Sequence, residues 1–213
     1  MSRAIIISGT DTDAGKTVVA AGITLCLSGA HYWKPVQSGT TPSTDTATVK
    51  ALTGLPDGRF LPEAYYLQEP ASPHLSARME GVEILADRLT LPDVDAPVVV
   101  EGAGGLMVPL SEHLLTIDLF ARWGRPVLLV ARTGLGTINH SLLSIEALRA
   151  RNIPIGGLIF SGDPHPENER IIPHFANVPV LGRLPRLPSL TPDILRAAVQ
   201  AYIDMAAIEV LTA

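Results

Sequence analysis

The segment that most constrains this chain is residues 4–18, Ala-Ile-Ile-Ile-Ser-Gly-Thr-Asp-Thr-Asp-Ala-Gly-Lys-Thr-Val. A short apolar run passes directly into a glycine-bounded loop and then into a helical pattern. A β-branched run of that length reads as a buried strand, so strand, loop and helix form one unit. The glycines let backbone N–H groups approach phosphate oxygens, and the following helix adds a favourable dipole. Lys16 can reach terminal phosphates, and the Thr17 hydroxyl can ligate Mg2+. The usual spacing is G-x-x-x-x-G-K-[ST], whereas here five residues stand between Gly9 and Gly15. Two of them, Asp11 and Asp13, are acids that a polyphosphate repels, so they should point away or face a cation. A plain strand-to-helix turn with a surface lysine is the alternative; the strand before and the apolar helix after favour nucleotide binding.

Apolar runs and helical patterns alternate along the rest of the chain. Strands are expected at 4–8, 32–36, 97–101, 126–131, 155–160 and 178–181. Helices are expected at 16–28, about 45–54, about 82–90, 138–151 and 192–210. The proline-bearing stretches 55–75 and 161–192 read as an irregular connection and an active-site or surface loop. Near-continuous apolar strands separated by helices imply a mostly parallel sheet with helices on both faces, a three-layer α/β architecture of the P-loop NTPase type. With 213 residues, 46% hydrophobic and 17% charged, the chain is expected to form one ordered domain over residues 1–213.

The net charge of −5 offers no general attraction to nucleic acid or anionic membrane, so neither is expected as a partner. Cys26 is the sole cysteine, which excludes an internal disulfide and a multi-cysteine zinc site; a core role suits it better than catalysis. The first apolar run is too short for a signal peptide and no later run reaches spanning length. A cytoplasmic location is therefore expected.

A second signal is Pro97-Val-Val-Val-Glu101-Gly102-Ala103-Gly104-Gly105. A buried strand there delivers one carboxylate to its C-terminal end, where ligands bind in open α/β sheets. This is the logic of a Walker B acid with Glu for the commoner Asp; a strand closing in a turn with a solvated Glu is the alternative. Asp45, in Ser43-Thr44-Asp45-Thr46, suits a helix cap as well as a metal ligand. Lys34 ends a strand before Pro35, where most lysines only extend to solvent. The segment 133–140 links a strand to a helix, and its free N–H groups can bind an anion or serve as plain capping. Trp33 and Trp123 read as packing residues.

Together these residues resemble the dethiobiotin synthetase family. The matching motifs are Gly9-Thr-Asp-Thr-Asp-Ala-Gly-Lys-Thr17, Lys34-Pro-Val-Gln-Ser-Gly39, Glu69-Pro-Ala-Ser-Pro-His74, Glu101-Gly-Ala-Gly-Gly105 and Gly136-Thr-Ile-Asn-His140. They stand in family order over residues 1–160, and the five-residue loop spacing is the family's own variant. The resemblance implies ATP- and Mg2+-dependent ring closure of 7,8-diaminopelargonate with CO2 (or bicarbonate) to dethiobiotin, in a homodimer. It implies catalytic roles for Lys16 and Lys34, and Mg2+ ligation by Thr17, Asp45 and Glu101. ATP contacts would come from Asp13, Ala14, Gly15, Lys16, Thr17 and Val18, from Asp45, and from Glu101, Gly102, Ala103 and Gly104. On the base side they would come from Ser161, Gly162, Pro185, Arg186 and Leu187. Thr12 and Ser38 would line the substrate, and Asn139 of the neighbouring subunit would help hold its carboxylate.

One departure affects the base side. Where many members carry an adenine-reading Asn, this chain has Ser161-Gly162. A hydroxyl cannot offer the paired donor and acceptor of an amide, so weaker discrimination among nucleoside triphosphates is expected. Two rivals are separable. Positioning ATPases of the MinD/ParA type carry an early loop lysine where this chain has Thr10, and their attachment needs basic surface, yet Arg196 is the lone base in 192–210. A simple kinase would show an arginine-rich lid, which no segment supplies.

Overall fold

The computed structural model describes residues 3–212. The first half comprises β1 (Arg3–Gly9), α1 (Lys16–Cys26), β2 (His31–Trp33), β3 (Val36–Ser38), α2 (Asp45–Thr53), β4 (Phe60–Leu61), β5 (Tyr65–Leu67) and α3 (Pro73–Met79). It continues through β6 (Pro97–Gly105), β7 (Pro109–Ser111), β8 (Leu114–Leu115), α4 (Thr116–Trp123), β9 (Val127–Arg132) and α5 (Thr137–Ala150). The last part holds β10 (Ile155–Ser161), α6 (Pro166–Ala176), β11 (Val180–Leu184), α7 (Pro192–Tyr202) and α8 (Met205–Leu211).

Seven strands form one sheet in the order β11-β10-β9-β1-β6-β2-β4, and every pairing in it is parallel. The alternation within β1 explains why both faces are covered. Ile5 and Ile7 pack with Val99, α1, α2, α7 and α8, while Ala4 and Ile6 pack with Val98, Val100, Ile117, Phe120 and Leu148 on the other face. Ile5, Ile6 and Ile7 are fully buried; each such side chain removed from water is worth about 1.5–3 kcal/mol. A displacement of β1 would expose that apolar surface, so burial anchors the strand that feeds the loop.

Several expected elements differ in the structure. The single strand expected at 32–36 is split at Pro35, which has no N–H for the ladder: β2 stays in the main sheet and β3 pairs β5 in a separate two-stranded sheet. The helix expected at 82–90 is only a 3-10 turn at Ala86–Arg88. Helices α3, α4 and α6 occupy stretches for which none was expected. The final helix is broken at Ile203, which bridges to Gly182, and Asp204 then caps α8 by accepting from the Ala207 N–H at 3.0 Å. Trp33 and Trp123 pack against each other as expected, ring centroids 5.9 Å apart. None of the described helices is long and apolar enough to cross a membrane.

Candidate active site

The parallel register brings the site together. β1 pairs β6 so that Ile7 faces Glu101, and β2 pairs β6 so that Trp33 faces Val100. Lys34, one residue beyond Trp33, therefore falls beside Glu101 at the carboxyl ends of the strands. Loop 10–15 rises between them and α1, with Gly15 at φ 93° as the helix N-cap. A methyl group at Gly15 would lie 2.3 Å from Ser161 Oγ. Glycine is thus required there twice, by conformation and by the close approach of β10.

Thr17, Asp45, Glu101 and Lys34 form one polar cluster. The Thr17 Oγ1 lies 2.9 Å from both Asp45 Oδ1 and Glu101 Oε1. Lys34 Nζ is 2.9 Å from Asp45 Oδ2, 3.2 Å from Glu101 Oε1, and donates to the Gly102 carbonyl at 3.1 Å. Lys34 is 4% exposed and Glu101 1%, so this lysine does not extend to solvent. Burial opposes its charge, but Glu101 and Asp45 outweigh burial and raise its pKa. Asp45 shows the reciprocal balance: burial pushes it up, while Lys34 and the Thr17 hydroxyl bring it below its usual value. The ambiguity over Asp45 resolves through its neighbour. Thr44 caps α2 by accepting from the Ala47 N–H at 3.1 Å, which frees the Asp45 carboxylate for the site.

Lys16, 7% exposed, folds along the loop and donates to the Asp11 carbonyl at 2.9 Å. Burial, followed by the charge of Lys34, lowers its pKa; an anion in the loop would supply the countercharge. The two acids of the loop diverge. Asp11 accepts from the Thr12 N–H at 2.7 Å and pairs with Arg132 at 3.4 Å, turning its charge outward. Asp13 adopts φ 57°, a left-handed conformation that Asp tolerates, and stands at the junction of two cavities.

The first cavity, about 720 Å3, is lined by Thr12, Lys16, Thr17, Lys34, Ser38, Asp45 and Glu101, with Ala103 and Gly104 at its side. The second, about 700 Å3, is lined by Ala14, Ser161, Gly162, Pro185, Arg186 and Leu187. Asp13, Gly15 and Val18 line both, so the loop stands between two adjoining spaces, of which the first holds the Thr17–Lys34–Asp45–Glu101 cluster. Two expected residues fall elsewhere. Gly102 lines neither cavity and acts through its carbonyl on Lys34. Asn139 is exposed in the first turn of α5, outside both cavities of its own chain. Sequence reasoning gave no site role to Tyr32, whose hydroxyl donates to Glu101 Oε2 at 2.9 Å, or to Arg132, which lines the second cavity. Pro70, Ala71, Ser72 and Pro73 line the first cavity; the 69–74 motif marked that segment without assigning it a task.

The donor set suits a hard cation. One hydroxyl has a single hydrogen for two carboxylate oxygens at 2.9 Å, so one of those contacts lacks a proton. Mg2+ takes such oxygens, uses few protein ligands and completes its octahedron with water and phosphate. Thr17, Asp45 and Glu101 fit it.

A family model described as an AAA domain matches residues 3–193. Among solved structures, the Pyrococcus furiosus cell division ATPase MinD superimposes with a TM-score of 0.59 at 16% identity, covering 99% of this chain and 100% of that one. A ParA family ATPase from Chlorobium tepidum gives a TM-score of 0.56 at 12% identity, covering 100% and 98%. At such identities these show the fold alone, which is the expected mostly parallel α/β architecture. Curated relatives are far nearer in sequence. The protein named ATP-dependent dethiobiotin synthetase BioD from Rhodopseudomonas palustris strain HaA2 is 59% identical over 198 residues, 93% of this chain and 92% of the relative. Its namesakes from Brucella anthropi and Agrobacterium fabrum are each 56% identical, covering 96% and 97% of both chains respectively. At 56–59% identity over more than nine-tenths of both chains, the chain belongs to the ATP-dependent dethiobiotin synthetase family.

Proposed function

We propose that the chain, acting as one P-loop domain over residues 1–213, makes dethiobiotin from 7,8-diaminopelargonate, CO2 and ATP, with Mg2+ held by Thr17, Asp45 and Glu101. The observation that carries this reading is the Thr17–Asp45–Glu101–Lys34 cluster on the wall of the first cavity, next to the phosphate loop. The second cavity takes the nucleoside, bounded by Ser161, Gly162, Pro185, Arg186 and Leu187, and the triphosphate passes Asp13–Val18 into the first. Mg2+, when bound, neutralises charge on the phosphates and orients the terminal one.

The chemistry follows from the charges. An uncharged amine of the substrate adds to CO2 and loses a proton, giving a carbamate. A carbamate oxygen attacks the terminal phosphorus, and ADP leaves. The remaining amine then attacks the carbamoyl carbon, the C–O bond to phosphate breaks, and the ureido ring closes with release of phosphate. Lys34 has its pKa raised, so it stays protonated and serves as a fixed positive charge beside the carbamate, not as a base. Lys16 meets charge on the transferring phosphoryl group. Such preorganised charge carries most of the acceleration expected of phosphoryl transfer. Thr12 and Ser38 line the space left for the diamine. Asn139 is exposed and lines neither cavity of its own chain, which supports the reading that it serves the site of a second subunit in a homodimer.

The test is phosphate release from ATP in the presence and absence of the diamine and bicarbonate. Release should require both and should match ring closure mole for mole. Release that ignores the diamine, or a stable phosphorylated product, would overturn the synthetase reading in favour of an ATPase switch or a kinase.

A further inference from the structure

Tyr32 stands apart from the residues that the family motifs single out. It lies at the centre of β2 with its ring fully buried against Phe60, centroids 6.3 Å apart. Side chains two apart on a strand share a face, so Tyr32 and Lys34 both project toward Glu101. They meet different oxygens. Glu101 Oε1 receives Thr17 at 2.9 Å and Lys34 at 3.2 Å, whereas Oε2 is held by the Tyr32 hydroxyl at 2.9 Å. An ionised carboxylate only accepts, so the phenol O–H is the donor in this bond.

We infer that Tyr32 is a positioning residue for the cation site: by holding Oε2 from beneath, its hydroxyl fixes the carboxylate plane of Glu101 so that Oε1 faces Thr17 and the cavity. Without that bond the carboxyl group can rotate about its last torsion, a broad and soft one, and present either oxygen to Thr17, Lys34 and the metal. Loss of a partner that orients a ligating carboxylate typically lowers metal affinity roughly 10- to 100-fold. The inference rests on the Mg2+ reading of Thr17, Asp45 and Glu101.

The test uses the full chain with ADP bound and Mn2+ as the probe, free Mn2+ being read by electron paramagnetic resonance. Tyr32→Phe preserves the ring and removes only the hydroxyl; it should weaken Mn2+ binding roughly ten- to a hundredfold while metal-free ADP binding is unchanged. Phe60→Leu is the packing control: it lowers the melting temperature but should leave the Mn2+ Kd at its wild-type value. Equal Mn2+ affinity in Tyr32→Phe and wild type overturns the inference, as does an equal loss in Phe60→Leu, which would make the effect one of packing. A wild-type protein that binds no Mn2+ defeats the metal reading itself, an outcome distinct from a tight wild type matched by a tight Tyr32→Phe.

Discussion

Replacing Lys34 by Gln removes the cation lying 2.9 Å from Asp45 and 3.2 Å from Glu101 and leaves two carboxylates facing each other. Removing one partner of a buried pair costs about 3–5 kcal/mol. The Asp45 side chain is 31% exposed, so solvent softens the penalty and the lower end, about 3 kcal/mol, applies. For a chain of this size that is a fall in melting temperature of roughly 6–12 °C. Mg2+ supplies the missing charge, and at about a hundred times its Kd it restores about 2.7 kcal/mol. Because Mg2+ no longer shares the carboxylates with an ammonium group, the variant should gain more from it than wild type does. Turnover should still drop about 100- to 1000-fold, the usual loss when a charge preorganised for the transition state is removed. Thermal melts with and without Mg2+, ADP titration and phosphate release measure all three. Normal turnover in Lys34→Gln, or a melting temperature without metal within a degree of wild type, would show that Lys34 neither balances the two carboxylates nor serves the reaction.

Thr17→Val keeps the shape of the side chain and removes its oxygen; nucleotide binding with Mg2+ should weaken while metal-free binding holds, and an unchanged Mg2+ requirement would contradict its assignment. Steady-state comparison of ATP, CTP and GTP should give kcat/KM values within about a hundredfold, since a pocket without a side-chain amide lacks the hydrogen-bond reading that yields 10,000-fold discrimination; a wider spread would mean that some other group reads the base. Asn139→Asp places a negative charge where the diamine's carboxylate should dock, so the diamine KM should rise with ATP binding unaltered. If that residue serves the partner's site, mixing inactive Lys34→Gln with Asn139→Asp restores about a quarter of wild-type activity, because random pairing in a symmetric dimer leaves one intact site per mixed dimer. No recovery on mixing would place Asn139 in its own chain's site or outside the site altogether.

The parts of this fold that were legible in the sequence are those where local signal and burial agree. β1, the loop and Glu101 lie on strands buried on both faces, so their apolar runs are unbroken, and the motifs occupy their ends. Helix α6 was concealed by composition: Pro166 sits harmlessly in its first turn, but Pro173 lies inside it, and such residues normally argue for a loop. Helix α4 is short, and its sequence 116–123 carries no unmistakable start signal beyond Asp118, whose carboxylate accepts from the Leu115 N–H at 3.2 Å. Asp45 and Lys34 were each open to two readings because the deciding facts are not local. One depends on Thr44 taking the cap, the other on β6 placing a buried carboxylate alongside. Tyr32 gave no signal at all. A tyrosine in an apolar strand reads as core, and only the register between β2 and β6 turns its hydroxyl toward Glu101.

In the proposed reaction a carbamate oxygen attacks the terminal phosphate of ATP. Single-turnover reaction with 18O-labelled CO2, quenched before its oxygens exchange with water, tests this by mass spectrometry of the phosphate released. The bridging oxygen of the anhydride comes from CO2 and departs with phosphorus, so each phosphate should carry one 18O atom beyond background for every ring closed. Unlabelled phosphate accompanying labelled dethiobiotin would contradict the claim.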